Sequence, residues 1–224
     1  MAPFKMTMSR RQSVQEATCE HHHLRGTFVA AQSGSGLMHT LGQADFLGKA
    51  DRVALSCGAS WHEQHRGTNA IGTALAEVRG IEIHGAEHFF ERHDFLTCTA
   101  VPIMSAQAKL MGILDISGDH RSGHPHTQGL VSMAACMIEN RLISATCRGQ
   151  VRLHLHSQLE GLGTVGEGIV VLSNDGWILG GNRAALALLH LSASDLGAAR
   201  LKAVLDVSLD ELLSRHKRRP GQAT

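Results

Sequence analysis

Two stretches of strict alternation limit what this chain can become. In Leu96–Met104, the residues Thr97, Thr99, Val101 and Ile103 alternate with Leu96, Cys98 and Ala100. In Leu110–Ser117, Gly112, Leu114 and Ile116 alternate with Met111, Ile113 and Asp115. A period of two belongs to strands, because successive side chains point to opposite faces of a sheet. The polar segment Ser105-Ala-Gln-Ala-Lys109 between the arms predicts a hairpin. Pro102 cannot donate to a ladder, which places it at an edge or bulge. A sheet with two distinct faces needs cover, and helical periodicity follows it. Val131, Ala135, Ile138, Leu142 and Ala145 form one apolar row, and Leu130, Met133, Ala134 and Met137 form another beside it. The chain is therefore read as α/β (α+β): a mainly antiparallel sheet with flanking helices.

The rest of the sequence extends this pattern. Thr27–Gln32 and Leu37–Leu41 flank a Gly-rich turn and predict a first hairpin. A helix is expected over Ala44–Cys57, with its connecting loop, and another over Thr68–Glu77. Ile81–Ile83 is a short strand. Past Gly161, Ile169–Leu172 and Trp177–Leu179 surround the Asn174-Asp-Gly176 turn signal and predict a third hairpin. Asn182 caps a helix over Arg183–Leu189, and Ser208 with Glu211 forms a capping box for a last helix. Val151, Leu155, Leu159 and Leu162 read as a weak continuation of the long helical seam, giving one interrupted helix over Gln128–Leu159.

Bulk properties exclude several function classes. Lys plus Arg number 21 against 20 Asp plus Glu, a balance that gives no general attraction to nucleic acid or anionic membrane. Aromatic residues make up 4%, too few for base-stacking platforms. Five widely spaced cysteines without a CxxC pair read as reduced thiols, and no signal peptide or spanning segment is apparent. These features lead us to expect a cytoplasmic protein without membrane contact.

Three segments carry a specific resemblance. They are Trp61-His-Glu-Gln-His-Arg-Gly-Thr-Asn-Ala-Ile-Gly-Thr-Ala-Leu75; Glu82-Ile-His-Gly-Ala-Glu-His-Phe89 with Phe95–Ile103; and Leu114-Asp-Ile-Ser-Gly-Asp-His-Arg121 with His124-Pro-His-Thr127 and Ile138-Glu-Asn-Arg-Leu142. In order and spacing they resemble the GAF domain of acetoin-catabolism-type, sigma-54-dependent transcriptional activators. Gly166–Leu172 through Asn182-Arg-Ala-Ala185 is similar to the opening of a PAS domain. The resemblance implies a sensor region followed by an ATPase and a DNA-binding unit. This chain has no GxxxxGK[ST] loop and no recognisable DNA-binding helix pair, so neither activity is carried over and no direct nucleic-acid contact is expected. It reads as a truncated piece or a gene without its effector half.

The expected organisation is a helical or flexible segment at 1–25, a GAF domain at 26–147, a linker helix at 148–163 and a partial PAS-like segment at 164–224. On the resemblance, a small-molecule cavity would be lined by Trp61, Asn69, Thr73, His84, His88, Cys98 and Thr99. These supply an aromatic wall, hydrogen-bonding groups and imidazoles. Structural duties compete with that reading: Asn69 or Thr68 can cap the helix that begins there, Trp61 can be core, and His84 and His88 can be surface residues. The histidines of the 120–126 loop, and Cys19 with His21, His22 and His23, can be drawn as metal sites. They lack four-ligand spacing, and Thr127 can serve as a helix cap, so no metal or cofactor is assigned.

The function expected is sensing of a small metabolite, acetoin-like on the resemblance, coupled to a parallel homodimer through Val131, Ala135, Ile138, Leu142 and Ala145. No catalytic residue is assigned. The alternatives are a free methionine sulfoxide reductase using Cys98, with Cys57 a conceivable partner, and a ligand-free dimerisation module.

Overall fold

The structure, a computed structural model, describes residues 5–9, 26–32, 36–122 and 124–218. In chain order, strand β1 (Lys5–Ser9) precedes β2 (Gly26–Gln32), β3 (Leu37–Gly42), helices α1 (Ala44–Arg52), α2 (Glu63–Arg66) and α3 (Ala70–Glu77), then β4 (Ile81–His84). Next come β5 (Leu96–Met104), β6 (Leu110–Asp119), the long helix α4 (Thr127–Thr146), β7 (Val151–His156), β8 (Gly168–Leu172) and β9 (Ile178–Gly181). Helices α5 (Arg183–Leu189), α6 (Leu201–Leu205) and α7 (Leu209–Arg218) complete it. These elements form two compact units.

The first unit holds β2 to β6 and the start of α4. Its five antiparallel strands run in the order β3-β2-β6-β5-β4. The alternation read from the sequence now has physical content. Leu96, Cys98 and Ala100 of β5 and Ile113 of β6 share one core with Phe46, Ala50, Leu55, Trp61, Ile71 and Ala74 from α1, α3 and the segments between. The opposite row, Thr97, Thr99, Val101 and Ile103, is buried too, so β5 is covered on both faces. β4 pairs with β5 only from Thr97 to Ala100, so Pro102 lies past the end of that ladder. Helix α3 starts where the sequence places a cap: the Asn69 side-chain oxygen accepts from Gly72 N–H at 2.8 Å.

The second unit contains β1, the 104–109 turn, the rest of α4 and everything that follows. Its antiparallel sheet has the order β1-β7-β8-β9. One face packs Leu153, Leu155, Val170, Leu172 and Ile178 against Ala185, Leu189, Leu201 and Leu212. The other buries Ile169 and Val171 of β8 against Ile143 and Cys147 and the hairpin-tip residue Ala106. Gly180 allows that tip to approach: a Cβ there would sit 2.6 Å from the Ala106 carbonyl oxygen. Next to it, Gly181 N–H donates to the same oxygen at 2.8 Å. The Asn182 cap is confirmed, its Oδ1 accepting from Ala185 N–H at 2.9 Å, as is the Ser208–Glu211 box before α7.

Two expectations fail. The interrupted helix over Gln128–Leu159 and the linker helix at 148–163 do not form: α4 ends at Thr146, Gly149 turns the chain with φ +84°, and β7 follows. The cause is period two, not 3.6. Val151, Leu153 and Leu155 are buried and alternate with Arg152, His154 and His156. The described part of the 1–25 segment is likewise a strand, with Lys5 opposite His156 and Ser9 opposite Arg152. Residues 10–25 lie outside the described residues.

Candidate ligand-binding face

The inner face of the first unit, where β5 and β6 meet Trp61, concentrates the polar groups that need explaining. Trp61 is 1% exposed, and its indole N–H donates to the Ala54 carbonyl at 2.8 Å. Its ring stacks on His93, centroids 5.0 Å apart, and His88 meets His93 edge-on at 6.0 Å. Both histidines are buried. His88 donates from Nδ1 to the Gly85 carbonyl at 2.9 Å, which leaves Nε2 a bare acceptor, and that atom has no partner. Neither ring nitrogen of His93 has one. Burial pushes both rings below the usual histidine range, His93 to about 4, so both are neutral at physiological pH.

A second polar group sits on the same side of the sheet. Asp115 is fully buried on β6, in the row of Ile113 and Ser117. The Ser117 hydroxyl donates to Asp115 Oδ2 at 2.6 Å and lies 3.1 Å from Cys98 Sγ. Asp115 Oδ1 is buried with no partner. Burial raises the carboxyl to about 7 against the Ser117 hydrogen bond, and among the described residues no cation pairs with it. The Cys98 thiol is pushed well above its ordinary value by burial and by Asp115. That is the reverse of what a nucleophilic cysteine needs.

The residues named from the sequence therefore separate. Trp61, His88 and Cys98 lie in this core. Asn69 is buried but commits both polar ends to the backbone, with Nδ2 donating to the Gly67 carbonyl at 2.8 Å, so it acts as a cap and not as a ligand contact. Thr73 donates its hydroxyl to Glu63. His84 is exposed and hydrogen-bonds the Thr97 hydroxyl, because β4 turns it away from the core that holds Ile81. Thr99 is buried on the opposite face of β5 from Cys98, its hydroxyl unpartnered. His93, Asp115 and Ser117 were missed. An acid in the apolar row of β6 was the available signal for two of them.

The row expected to form a dimer seam is divided by the fold. Val131 and Ala135 are completely buried in the chain's own fold, Ile138 and Leu142 are half-buried, and Ala145 is exposed. The apolar row left outside is Leu130, Met133 and Met137, at 47%, 54% and 50% exposure. Thr127 does not use its hydroxyl to cap α4; it donates back to the His124 carbonyl at 2.8 Å. Among the described residues no three metal-binding side chains gather, and no helix is long and apolar enough to cross a membrane. Cys19, His21, His22 and His23 lie outside the described residues. The second unit has a concavity of about 600 Å³ beside Trp177, with Arg200 stacked on that ring at 4.4 Å. None of its lining residues has a buried polar atom without a partner.

One solved structure shares this fold, and longer proteins match the sequence. A solved structure described as the E. coli DhaR(N)-DhaL complex superposes with a TM-score of 0.52 at 13% identity, covering 88% of this chain and 67% of that one, which shows a shared fold. A signal-transduction and transcriptional-control protein of Clostridium beijerinckii is 30% identical over 167 residues, which are 74% of this chain and 26% of that protein. The acetoin catabolism regulatory protein of Cupriavidus necator is 33% identical over 186 residues, 75% of this chain and 27% of that protein. The chain thus spans about a quarter of the length of these relatives. Residues 19–140 match the family described as MimR, N-terminal domain, and the chain belongs to that family.

Proposed function

We propose that this chain is the small-molecule-sensing region of a bacterial transcriptional regulator of the sigma-54-dependent kind, cytoplasmic and dimeric, with its ligand on the inner face of the first unit. The observation that carries this reading is the set of three buried imidazole nitrogens, on His88 and His93, that stand without partners beside the Trp61 ring. A buried polar atom left unpaired costs about 1–3 kcal/mol, so such groups persist where something else completes them. Neutral imidazoles against an indole suit a small uncharged metabolite with hydroxyl or carbonyl groups. The Cupriavidus relative's name and the GAF resemblance make acetoin the first compound to test. Dimerisation uses the outer row Leu130, Met133 and Met137 of α4, and ligand binding shifts the chain between two packings that differ in affinity for it.

The test is a thermal-shift titration of the whole chain with acetoin and related diols. At about 100-fold over Kd, binding adds about 2.7 kcal/mol to stability, which for a chain of this size raises the melting temperature by roughly 5–10 °C. A melting temperature that stays constant across the series favours the ligand-free dimerisation module.

A further inference from the structure

Cys98, Ser117 and Asp115 form a chain of hydrogen bonds with one direction. With the Ser117 proton given to Asp115 Oδ2, 2.6 Å away, the 3.1 Å contact is left for the Cys98 thiol to donate and Ser117 Oγ to accept. Every donor in the chain points toward the carboxyl, and among the described residues no cation pairs with it. Asp115 is fully buried, and its second oxygen touches nothing that could share a proton with it. With Oδ2 already an acceptor, the acid proton resides on Oδ1, the oxygen without a partner.

We infer that Asp115, held by Ser117 and Cys98, is a ligand-recognition residue that donates its acid proton from Oδ1 to a carbonyl or hydroxyl oxygen of an uncharged ligand. This rests on the sensing function proposed above and adds the group that selects the ligand. An amine would need the ionised carboxylate, which this apolar setting disfavours. A carboxylate ligand would meet no cation at Asp115. Recognition through an acid proton also links binding to pH: the protein takes up a proton as the ligand binds. The other buried titratable groups of this core, among the described residues, do not blur that link. His93 titrates near 4, His88 is pushed the same way, and Cys98 is pushed well upward. Strand β2, paired with β6 on its other side, carries no titratable residue between Gly26 and Gln32.

The test is calorimetric titration of the whole chain with acetoin, and in parallel with 1-amino-2-propanol, from about pH 6 to about pH 9. Asp115→Asn is the informative variant, because its amide still donates from this position but cannot titrate. For the wild type, acetoin affinity should fall about tenfold per pH unit above neutrality, with proton uptake visible as a buffer-dependent heat. For Asp115→Asn it should stay level across the range, and the amine should bind neither protein. A level wild-type profile matched by Asp115→Asn overturns the inference and leaves the sensing function standing. Amine binding that tightens as pH rises overturns the ligand class. No saturable heat with acetoin at any pH overturns the sensing function and this inference together.

Discussion

The buried acid makes a prediction that needs no ligand. Asp115 has a carboxyl near 7 in the folded chain, against about 3.9 for an unfolded aspartate. Between those values the native state holds a proton that the unfolded state releases, so stability falls as pH rises from about 4 to about 7 and then levels off. A gap of about three units, at 1.36 kcal/mol each, is roughly 4 kcal/mol. Asp115→Asn keeps an acceptor for the Ser117 hydroxyl and removes the titration. The two proteins should therefore be about equally stable near pH 4, and the variant should gain roughly 4 kcal/mol by about pH 8. His93 contributes a slope of opposite sign, since its native value near 4 is depressed, but that slope is common to both proteins and cancels in the difference. Urea unfolding provides the assay. The chain has two tryptophans. Replacing Trp177 by Phe leaves Trp61, buried in the core that holds Cys98 and Ile113, as the one fluorescent reporter of this unit. At a typical slope of about 2 kcal/mol per molar urea, the midpoints should separate by roughly 2 M at about pH 8 and coincide near pH 4. Midpoints that run parallel across the range would refute a native state in which this carboxyl is buried and protonated.

Three further outcomes follow from the same geometry. His93→Leu removes two unpartnered nitrogens at nearly constant volume and loses one stacked pair with Trp61, so stability should hold within about 1 kcal/mol or rise while ligand binding is lost; calorimetry and urea unfolding separate the two effects. Asn69→Ala should cost about 1–2 kcal/mol by uncapping α3, and the variant's pH profile of ligand affinity should match the wild type's. Met133→Glu with Met137→Lys should give folded monomers in sedimentation equilibrium, whereas Val131→Asp should fail to fold, because that side chain is buried within its own chain.

What the sequence discloses is whatever local chemistry decides. The three hairpins, the Asn69 and Asn182 caps and the Ser208–Glu211 box follow from turn residues and short-range hydrogen bonds, and each lies where it was expected. The strand β7 was hidden because Val151 and Leu155 satisfy a four-residue step as well as a two-residue one; only the burial of Leu153 between them decides the period. The two apolar rows of α4 posed a similar ambiguity. Both have helical spacing, and tertiary packing chose the slimmer Val131 and Ala135 for the interior, leaving the methionines outside. His93 could not be found by pattern at all. It lies in a short irregular turn, and its importance comes from a stacking partner 32 positions earlier in the chain, Trp61.

Asp115 shows why a site like this resists sequence reading and yet reveals itself in three dimensions. In the alternation of β6 it takes a core position, where a leucine or valine would add apolar burial worth about 1.5–3 kcal/mol and avoid the cost of enclosing a carboxyl. A carboxyl needed only for folding would be expected to use both oxygens, as Asn69 uses both ends of its amide. Asp115 uses one, and the structure spends two further side chains, Ser117 and Cys98, on orienting it. Orientation without full satisfaction stabilises nothing by itself. It becomes useful when a partner arrives, because the geometry is already fixed and less ordering entropy is lost on binding.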